Sequence, residues 1–140
     1  MRVFFDTSAI VPLVLQEVYA ADIRLHWPDF TERWAWSWIL VEAEAALIRQ
    51  KADATAWREW SRIARSLTLV ELGQQDQHAL RAFNRGIGLR AADAAHLFTF
   101  DRLSRQLDDL QLVTFDREMS QAALETGMAL HPLSQKKIKH

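Results

Sequence analysis

The chain has 140 residues, of which 49% are hydrophobic and 25% charged, and its formal net charge is −1. This size and composition predict one globular domain with a substantial core. The absence of cysteine excludes disulfides, thiolate nucleophiles and cysteine-ligated metal sites, and the near-zero net charge argues against a strongly basic nucleic-acid binder.

The amino-terminal run is apolar, but Asp6 interrupts it and no small-residue cleavage site follows, so it does not match a secretory signal. No stretch approaches the roughly 18 apolar residues that a membrane span requires. We therefore expect a soluble cytoplasmic protein. Such a protein would hold any nucleic acid through local clusters of Arg and Lys.

Strands and helices alternate in the first half of the chain. In chain order the predicted elements are strand 2–5, helix 8–16, helix 18–27, strand 34–38, helix 39–52 and helix 54–67. The last of these follows from apolar side chains that recur at spacings of three and four residues, namely Trp57, Trp60, Ile63, Ala64 and Leu67.

The second half continues the same alternation. Its predicted elements are strand 67–72, helix 74–84, helix 91–106, strand 110–115, helix 117–126 and a final edge strand 128–131. Gly86 and Gly88 are expected to end the helix predicted at 74–84, and Gly127 is expected to cap the helix predicted at 117–126. Strands separated by helices predict a mainly parallel sheet of about five strands, covered on both faces. The domain is expected to span residues 1–132, with a basic tail at 133–140.

Four short acidic motifs stand out, centred on Asp6, Glu42, Asp93 and Asp116. Asp6 and Asp116 directly follow predicted strands, whereas Glu42 and Asp93 fall in the first turns of predicted helices. All four therefore belong to the carboxyl edge of the sheet, where open parallel folds bind their ligands. Crowded carboxylates stay ionised only when a cation neutralises them, so the pattern predicts a divalent-metal site.

Each acid also has a simpler explanation. Asp6 and Asp116 are suitable helix N-caps, and Asp93 at a helix start would interact favourably with the helix dipole. Glu42 would then be an ordinary helix residue. The apolar and alanine-rich surroundings of the four motifs favour buried, functional carboxylates over this alternative.

The four motifs together resemble a PIN domain, and more narrowly a VapC-type toxin of a type II toxin–antitoxin system. The matching runs are VFFDTS at 3–8, LVEAEAAL at 40–47, LRAADAAHL at 89–97 and LVTFD at 112–116. The resemblance covers residues 1 to about 132. It implies a three-layer α/β/α sandwich and an endoribonuclease whose catalytic and metal-binding residues are Asp6, Glu42, Asp93 and Asp116.

The same resemblance implies a hydrolase mechanism. The acids would hold Mg²⁺ or Mn²⁺, and a metal-activated water would cut an RNA phosphodiester without a covalent intermediate. It also implies an RNA substrate, an antitoxin protein as partner and a homodimer. A catalytically inactive PIN-like interaction or scaffold module is the alternative.

Some assignments near these motifs remain open. Glu44 lies two residues after Glu42 and would face away from it on a helix, so we favour Glu42. The hydroxyls of Ser8 and Thr114 are placed to orient the carboxylates, or they only cap a helix and fill a strand. His96 shares the helix face of Asp93, and hydrogen-bonded packing is favoured over metal ligation for it.

The aromatic and basic residues have two interpretations each. Six tryptophans supply core and interface area or stack on RNA bases, and Trp57 and Trp60 are candidates for the antitoxin groove. Substrate positioning is assigned to three arginines close in sequence to the acidic motifs or their preceding loops, with solvated surface roles as the alternative; they are Arg85, Arg90 and Arg117. Lys136, Lys137 and Lys139 belong to the tail, where they attract phosphate or only aid solubility.

Overall fold

The computed structural model describes residues 1–138, with side chains through residue 135. The chain forms four strands: β1 (Arg2–Phe5), β2 (Glu32–Trp36), β3 (Thr68–Val70) and β4 (Gln111–Val113). The helices are α1 (Thr7–Val14), α2 (Ala20–His26), α3 (Ile39–Arg49), α4 (Ala54–Ser66), α5 (Gln77–Ile87), α6 (Ala91–Ser104), α7 (Arg117–Glu125) and α8 (Pro132–Ile138). Short 3₁₀ turns occupy Trp27–Asp29 and Gln74–Asp76.

The four strands form one parallel sheet in the order β3-β2-β1-β4. The central strand β1 pairs with β2 on one side, where Val3 lies opposite Arg33, and with β4 on the other, where Phe5 lies opposite Val113. Each strand is followed by helical structure, which returns the chain to the amino edge of the sheet. The predicted α/β architecture with a parallel sheet is therefore confirmed.

The fifth predicted strand does not form in the described part of the chain. Its segment makes only an isolated parallel bridge between Leu130 and Leu112, in which the Leu112 N–H donates to the Ala129 carbonyl at 2.9 Å. Pro132 ends the segment immediately after His131 and starts α8, because proline has no N–H to continue a ladder. The sheet thus has four strands where about five were predicted.

Helices cover both faces of this sheet. Successive side chains of a strand point to opposite faces. Val3 and Phe5 accordingly join one core cluster with residues of α1, α3 and α4, whereas Phe4 joins a second cluster with residues of α6 and α7. The sheet is thus buried on both sides, as the continuous apolar run of β1 predicts.

One helix and the packed domain extend beyond their predicted ends. Helix α5 passes through Gly86 and ends only at Gly88, which adopts a left-handed conformation with φ of 79°. The predicted domain boundary at residue 132 falls at the start of α8, where Leu133 and Ser134 are buried. The packed structure therefore continues into the segment expected to be a tail. Lys139 lies outside the described residues, as do the side chains of Lys136 and Lys137.

Within residues 1–138, no helix has both the length and the apolar character needed to cross a membrane.

Candidate metal site

Asp6 is the most deeply buried of the four predicted site acids. It follows β1 directly, and only 2% of its surface is exposed. Burial raises its pKa to about 6, and the nearby charge of Asp116 adds to the rise, although His96, Ser8 and Thr114 partly offset it. Its side chain does not cap α1. A carboxylate placed here at a cost in free energy, without a capping role, indicates a functional position.

Hydrogen bonds join Asp6 to the end of β4. The Ser8 hydroxyl donates to Asp6 Oδ1 at 2.9 Å, and its oxygen accepts the N–H of Phe115 at 2.8 Å. The Thr114 hydroxyl lies 3.1 Å from that of Ser8, accepts the N–H of Asp116 at 3.1 Å and lowers the pKa of Asp6. Ser8 and Thr114 thus lie where their hydroxyls orient the Asp6 carboxylate and tie the first acidic motif to the last.

Glu42 enters the site from α3 and is held by two polar neighbours. The Thr7 hydroxyl donates to Glu42 Oε1 at 2.8 Å, and Nε2 of the buried His96 lies 2.6 Å from the same oxygen. Burial alone would raise the pKa of Glu42, but the hydrogen bond and charge of His96, together with Thr7, outweigh it and lower the pKa. Glu42 is therefore ionised at neutral pH, and Nε2–H of His96 is the donor to it.

Asp93 lies in the first turn of α6 and completes the group. Burial raises its pKa, and the charges of Asp116 and Glu42 raise it further, whereas His96 and Arg90 act in the opposite direction. The charge of Asp116 thus acts on the pKa of both Asp6 and Asp93, and the charge of Glu42 acts on that of Asp93, so these pairs of acids are near neighbours. The structure thus brings together the four acids that the sequence predicts at the carboxyl edge of the sheet.

Glu44 faces a different direction from Glu42. Its Oε2 accepts a hydrogen bond from Nε1 of Trp60 at 3.1 Å, and Trp60 itself is 2% exposed within the core cluster that includes α1 and α4. This separation follows from helix geometry, because residues two apart on a helix do not share a face.

The carboxylates do not form a closed ligand set in this conformation. Across the described residues, no three His, Asp or Glu side chains are arranged to hold a metal ion. Protein donors engage oxygens of several of these carboxylates. Asp116 Oδ1, for example, accepts the N–H of Met119 at 2.9 Å, so Asp116 does cap α7.

The chemistry of the group nevertheless fits a hard divalent cation. All four side chains offer oxygen, the donor that Mg²⁺ and Mn²⁺ prefer. The raised pKa values of Asp6 and Asp93 show that their negative charge is incompletely balanced by the protein. Side-chain rotation of Asp116 away from Met119 and of Glu42 away from Thr7 would free the oxygens that these donors occupy.

The predicted positioning arginines lie around this edge. Arg90 precedes α6, is exposed and lowers the pKa of Asp93. Arg117 begins α7 and lines a cavity of about 710 Å³ together with Leu89 and Glu118. Arg85 is exposed in the last turn of α5. Arg90 is thus the arginine whose charge reaches an acid of the site.

Thr7 is the site residue that sequence reasoning missed. We assigned it no role, yet its hydroxyl bonds Glu42 and lies 3.3 Å from His96 Nε2. Its position could have indicated a role in the site, because Thr7 directly follows Asp6 and is the first residue of a helix that starts at the carboxyl edge. His96 is buried and hydrogen-bonded, in line with the packing role favoured for it.

No protein-family model matches this chain, and no curated protein matches it either.

Proposed function

We propose that this protein is a metal-dependent endoribonuclease with a PIN-like fold. The observation that carries the proposal is the gathering of Asp6, Glu42, Asp93 and Asp116 at the carboxyl edge of the sheet, where the charge of Asp116 raises the pKa of Asp6 and the charges of Asp116 and Glu42 raise the pKa of Asp93. A parallel sheet with helices on both faces is consistent with the three-layer α/β/α sandwich of PIN domains.

The four carboxylates would hold a Mg²⁺ or Mn²⁺ ion. When bound, such an ion supplies charge neutralisation and lowers the pKa of a coordinated water. Ser8 and Thr114 keep the Asp6 carboxylate oriented, and the hydrogen bonds from His96 and Thr7 keep Glu42 ionised. Arg90, exposed beside Asp93, is placed to contact an incoming phosphate.

The test is cleavage of a single-stranded RNA by the purified protein with Mn²⁺ or with a chelator. Cleavage should require Mn²⁺ and should be lost in the Asp6→Asn/Asp116→Asn variant. Glu44→Gln is the matched control, because it removes a carboxylate from the same helix as Glu42 but outside the group. Full activity of the double variant in chelator, with its fold verified by circular dichroism, would overturn the proposal.

A scaffold without catalysis is the second candidate. The observation that favours it is that the acids, as they stand, form no complete ligand set among the described residues, with Glu42 and Asp116 bonded to protein donors. A well-folded wild-type protein that neither binds Mn²⁺ nor cleaves RNA would support this candidate.

We further propose that the nuclease acts as the toxin of a toxin–antitoxin pair, with RNA as substrate, a protein antitoxin as inhibitor and a homodimer as the working form. The support is the order and spacing of the four motifs, and Trp57, which is half-buried on α4, remains a candidate contact for the inhibitor. Expression of the wild-type chain alone should arrest growth of its host, and expression of Asp6→Asn should not. Normal growth at high wild-type expression would refute the toxin role.

A further inference from the structure

A second cavity lies away from the acids, toward the amino edge of the sheet. It has a volume of about 540 Å³ and is lined by residues of α1, α2, α4, β2 and the 3₁₀ turn. Arg33 is the second residue of β2, and Ser66 ends α4 just before β3, so both lie at the edge opposite the candidate metal site. The volume is within the range of small-molecule sites, about 300–1,000 Å³.

Three arginines and one glutamate line this cavity, which gives it a net positive charge in a chain of net charge −1. Arg62 is paired with Glu59. Neither Arg24 nor Arg33 forms an ion pair with any residue that the structure describes. Two guanidinium groups of the cavity therefore lack a carboxylate partner.

Backbone carbonyls hold the two unpaired guanidinium groups in place. Arg24 donates to the carbonyl of Leu13 at 3.0 Å, and Arg33 donates to the carbonyl of Trp27 at 3.4 Å. The Arg33 guanidinium carbon also lies 4.4 Å from the centre of the Trp27 ring, and partial burial lowers the pKa of Arg33. A partly desolvated cation without a counterion costs free energy, which a bound anion would recover.

The cavity wall selects against a nucleobase. Arg33 lies over the Trp27 ring, Phe5 stacks on that ring at 5.6 Å and Phe30 contacts it edge-on. Trp27 is therefore already in contact with an arginine and two aromatic rings, which leaves less of its surface for stacking a base. The remaining wall includes the apolar side chains of Leu13, Pro28 and Ile63, which suit an aliphatic or small aryl body.

We propose that this cavity binds a small organic dianion. Its apolar body would carry either one doubly charged oxyanion group or two singly charged ones. Two unpaired guanidinium groups match two negative charges, and the planar fork of arginine suits both carboxylate and phosphate oxygens. The dianion comes from one of two sources, a dicarboxylate or a phosphate monoester. Dianion binding in this cavity is independent of the proposed nuclease activity, because the cavity and the four acids lie at opposite edges of the sheet.

Binding is tested by calorimetry at pH 7.5 with three probes: suberate, phenyl phosphate and inorganic phosphate. We expect saturable binding of suberate or phenyl phosphate with a dissociation constant at least roughly tenfold below that of inorganic phosphate, since only the first two have an apolar body. Tighter binding of suberate would identify the dicarboxylate, and tighter binding of phenyl phosphate the monoester.

Arg24→Gln should weaken the better probe roughly tenfold or more, because charged hydrogen bonds contribute most of the affinity for an anion. Arg33→Gln should weaken binding of this probe to the same extent. Because Arg24 is exposed, the Arg24→Gln variant remains informative if Arg33→Gln folds poorly. Arg58→Gln is the matched control, since Arg58 is exposed on α4 but lies outside this cavity. The proposal is overturned if neither organic probe saturates by 10 mM, or if Arg58→Gln weakens binding as much as Arg24→Gln.

Discussion

Replacing Asp6 with asparagine should stabilise the protein at neutral pH in the absence of metal. Burial raises the pKa of Asp6 from 3.8 to about 6, so the folded state binds a proton more tightly than the unfolded chain. Stability from this proton is fully present below pH 3.8 and is lost as the pH rises through 6. A shift of about two units corresponds to a loss of about 3 kcal/mol above pH 7.

Asparagine has the same shape but does not ionise, and its Oδ1 retains the acceptor for the Ser8 hydroxyl. At pH 7.5 in chelator, the free energy of unfolding of Asp6→Asn should exceed that of the wild type by about 2–3 kcal/mol. The melting temperature should rise by roughly 5–10 °C. Below pH 4 the two proteins should be nearly equally stable, because Asp6 is then protonated.

Urea denaturation of both proteins at half-unit steps from pH 4 to pH 8 measures the difference. Other titrating groups contribute to both curves, so the difference isolates Asp6. Asp108→Asn, at an exposed turn aspartate, is the control for the loss of one surface carboxylate. If Asp6→Asn is less stable than the wild type at pH 7.5, or if the difference is independent of pH, the assignment of Asp6 as a buried, unneutralised carboxylate is wrong.

Three further predictions follow from other contacts. Glu42→Gln should abolish Mn²⁺-dependent RNA cleavage while Glu44→Gln retains most of it, and the reverse result in a cleavage assay would mean that the wrong face of α3 was assigned. Burial and the charge of His26 lower the pKa of His131 to about 4, so wild-type stability should fall by roughly 2 kcal/mol as the pH drops from 6.5 to 4. In urea titrations this fall should be smaller for His131→Asn, whose side chain can still accept the N–H of Leu133. An unchanged pH dependence of stability in this variant would contradict the prediction. Trp60→Ala should cost about 3–5 kcal/mol of stability because it empties a buried site, whereas Trp57→Ala should cost much less in thermal unfolding; equal losses would contradict the burial difference.

The tryptophan pair shows a limit of reasoning from helical spacing. Trp57 and Trp60 lie one turn apart, so both were candidates for a partner groove. The structure buries Trp60 against the core and bonds its indole N–H to Glu44. Spacing identifies a shared face of a helix but not whether that face meets the core or a partner. Trp57 alone is therefore suited to test inhibitor binding.

The sheet and the positions of the four acids were predictable from the sequence. Short apolar runs ending in Asp6 and Asp116 mark strands and their carboxyl ends, and parallel topology then places both acids at one edge. The sequence did not reveal that the segment 128–131 forms an isolated bridge instead of the predicted fifth strand, because a proline at 132 is compatible with either. The sequence also did not reveal that α5 continues through Gly86. A single glycine lowers helix stability by only about 1 kcal/mol, so it does not by itself determine where a helix ends.

Polar contacts within the site were harder to foresee than the acids. The bonds from Thr7 and His96 to Glu42 depend on the packing of α1, α3 and α6 against one another. Sequence spacing alone does not specify that packing. The two unpaired arginines of the second cavity likewise come from α2 and β2, which pattern reasoning treats separately.

Calorimetric titration of Mn²⁺ into the metal-free protein is the most direct test of the four-acid site. The wild type and Glu44→Gln should bind Mn²⁺ saturably and should be stabilised against heat increasingly as the Mn²⁺ concentration rises. Asp6→Asn/Asp116→Asn should show neither effect. If the double variant binds Mn²⁺ as tightly as the wild type, or if the folded wild type shows no binding at millimolar Mn²⁺, these carboxylates do not form a metal site.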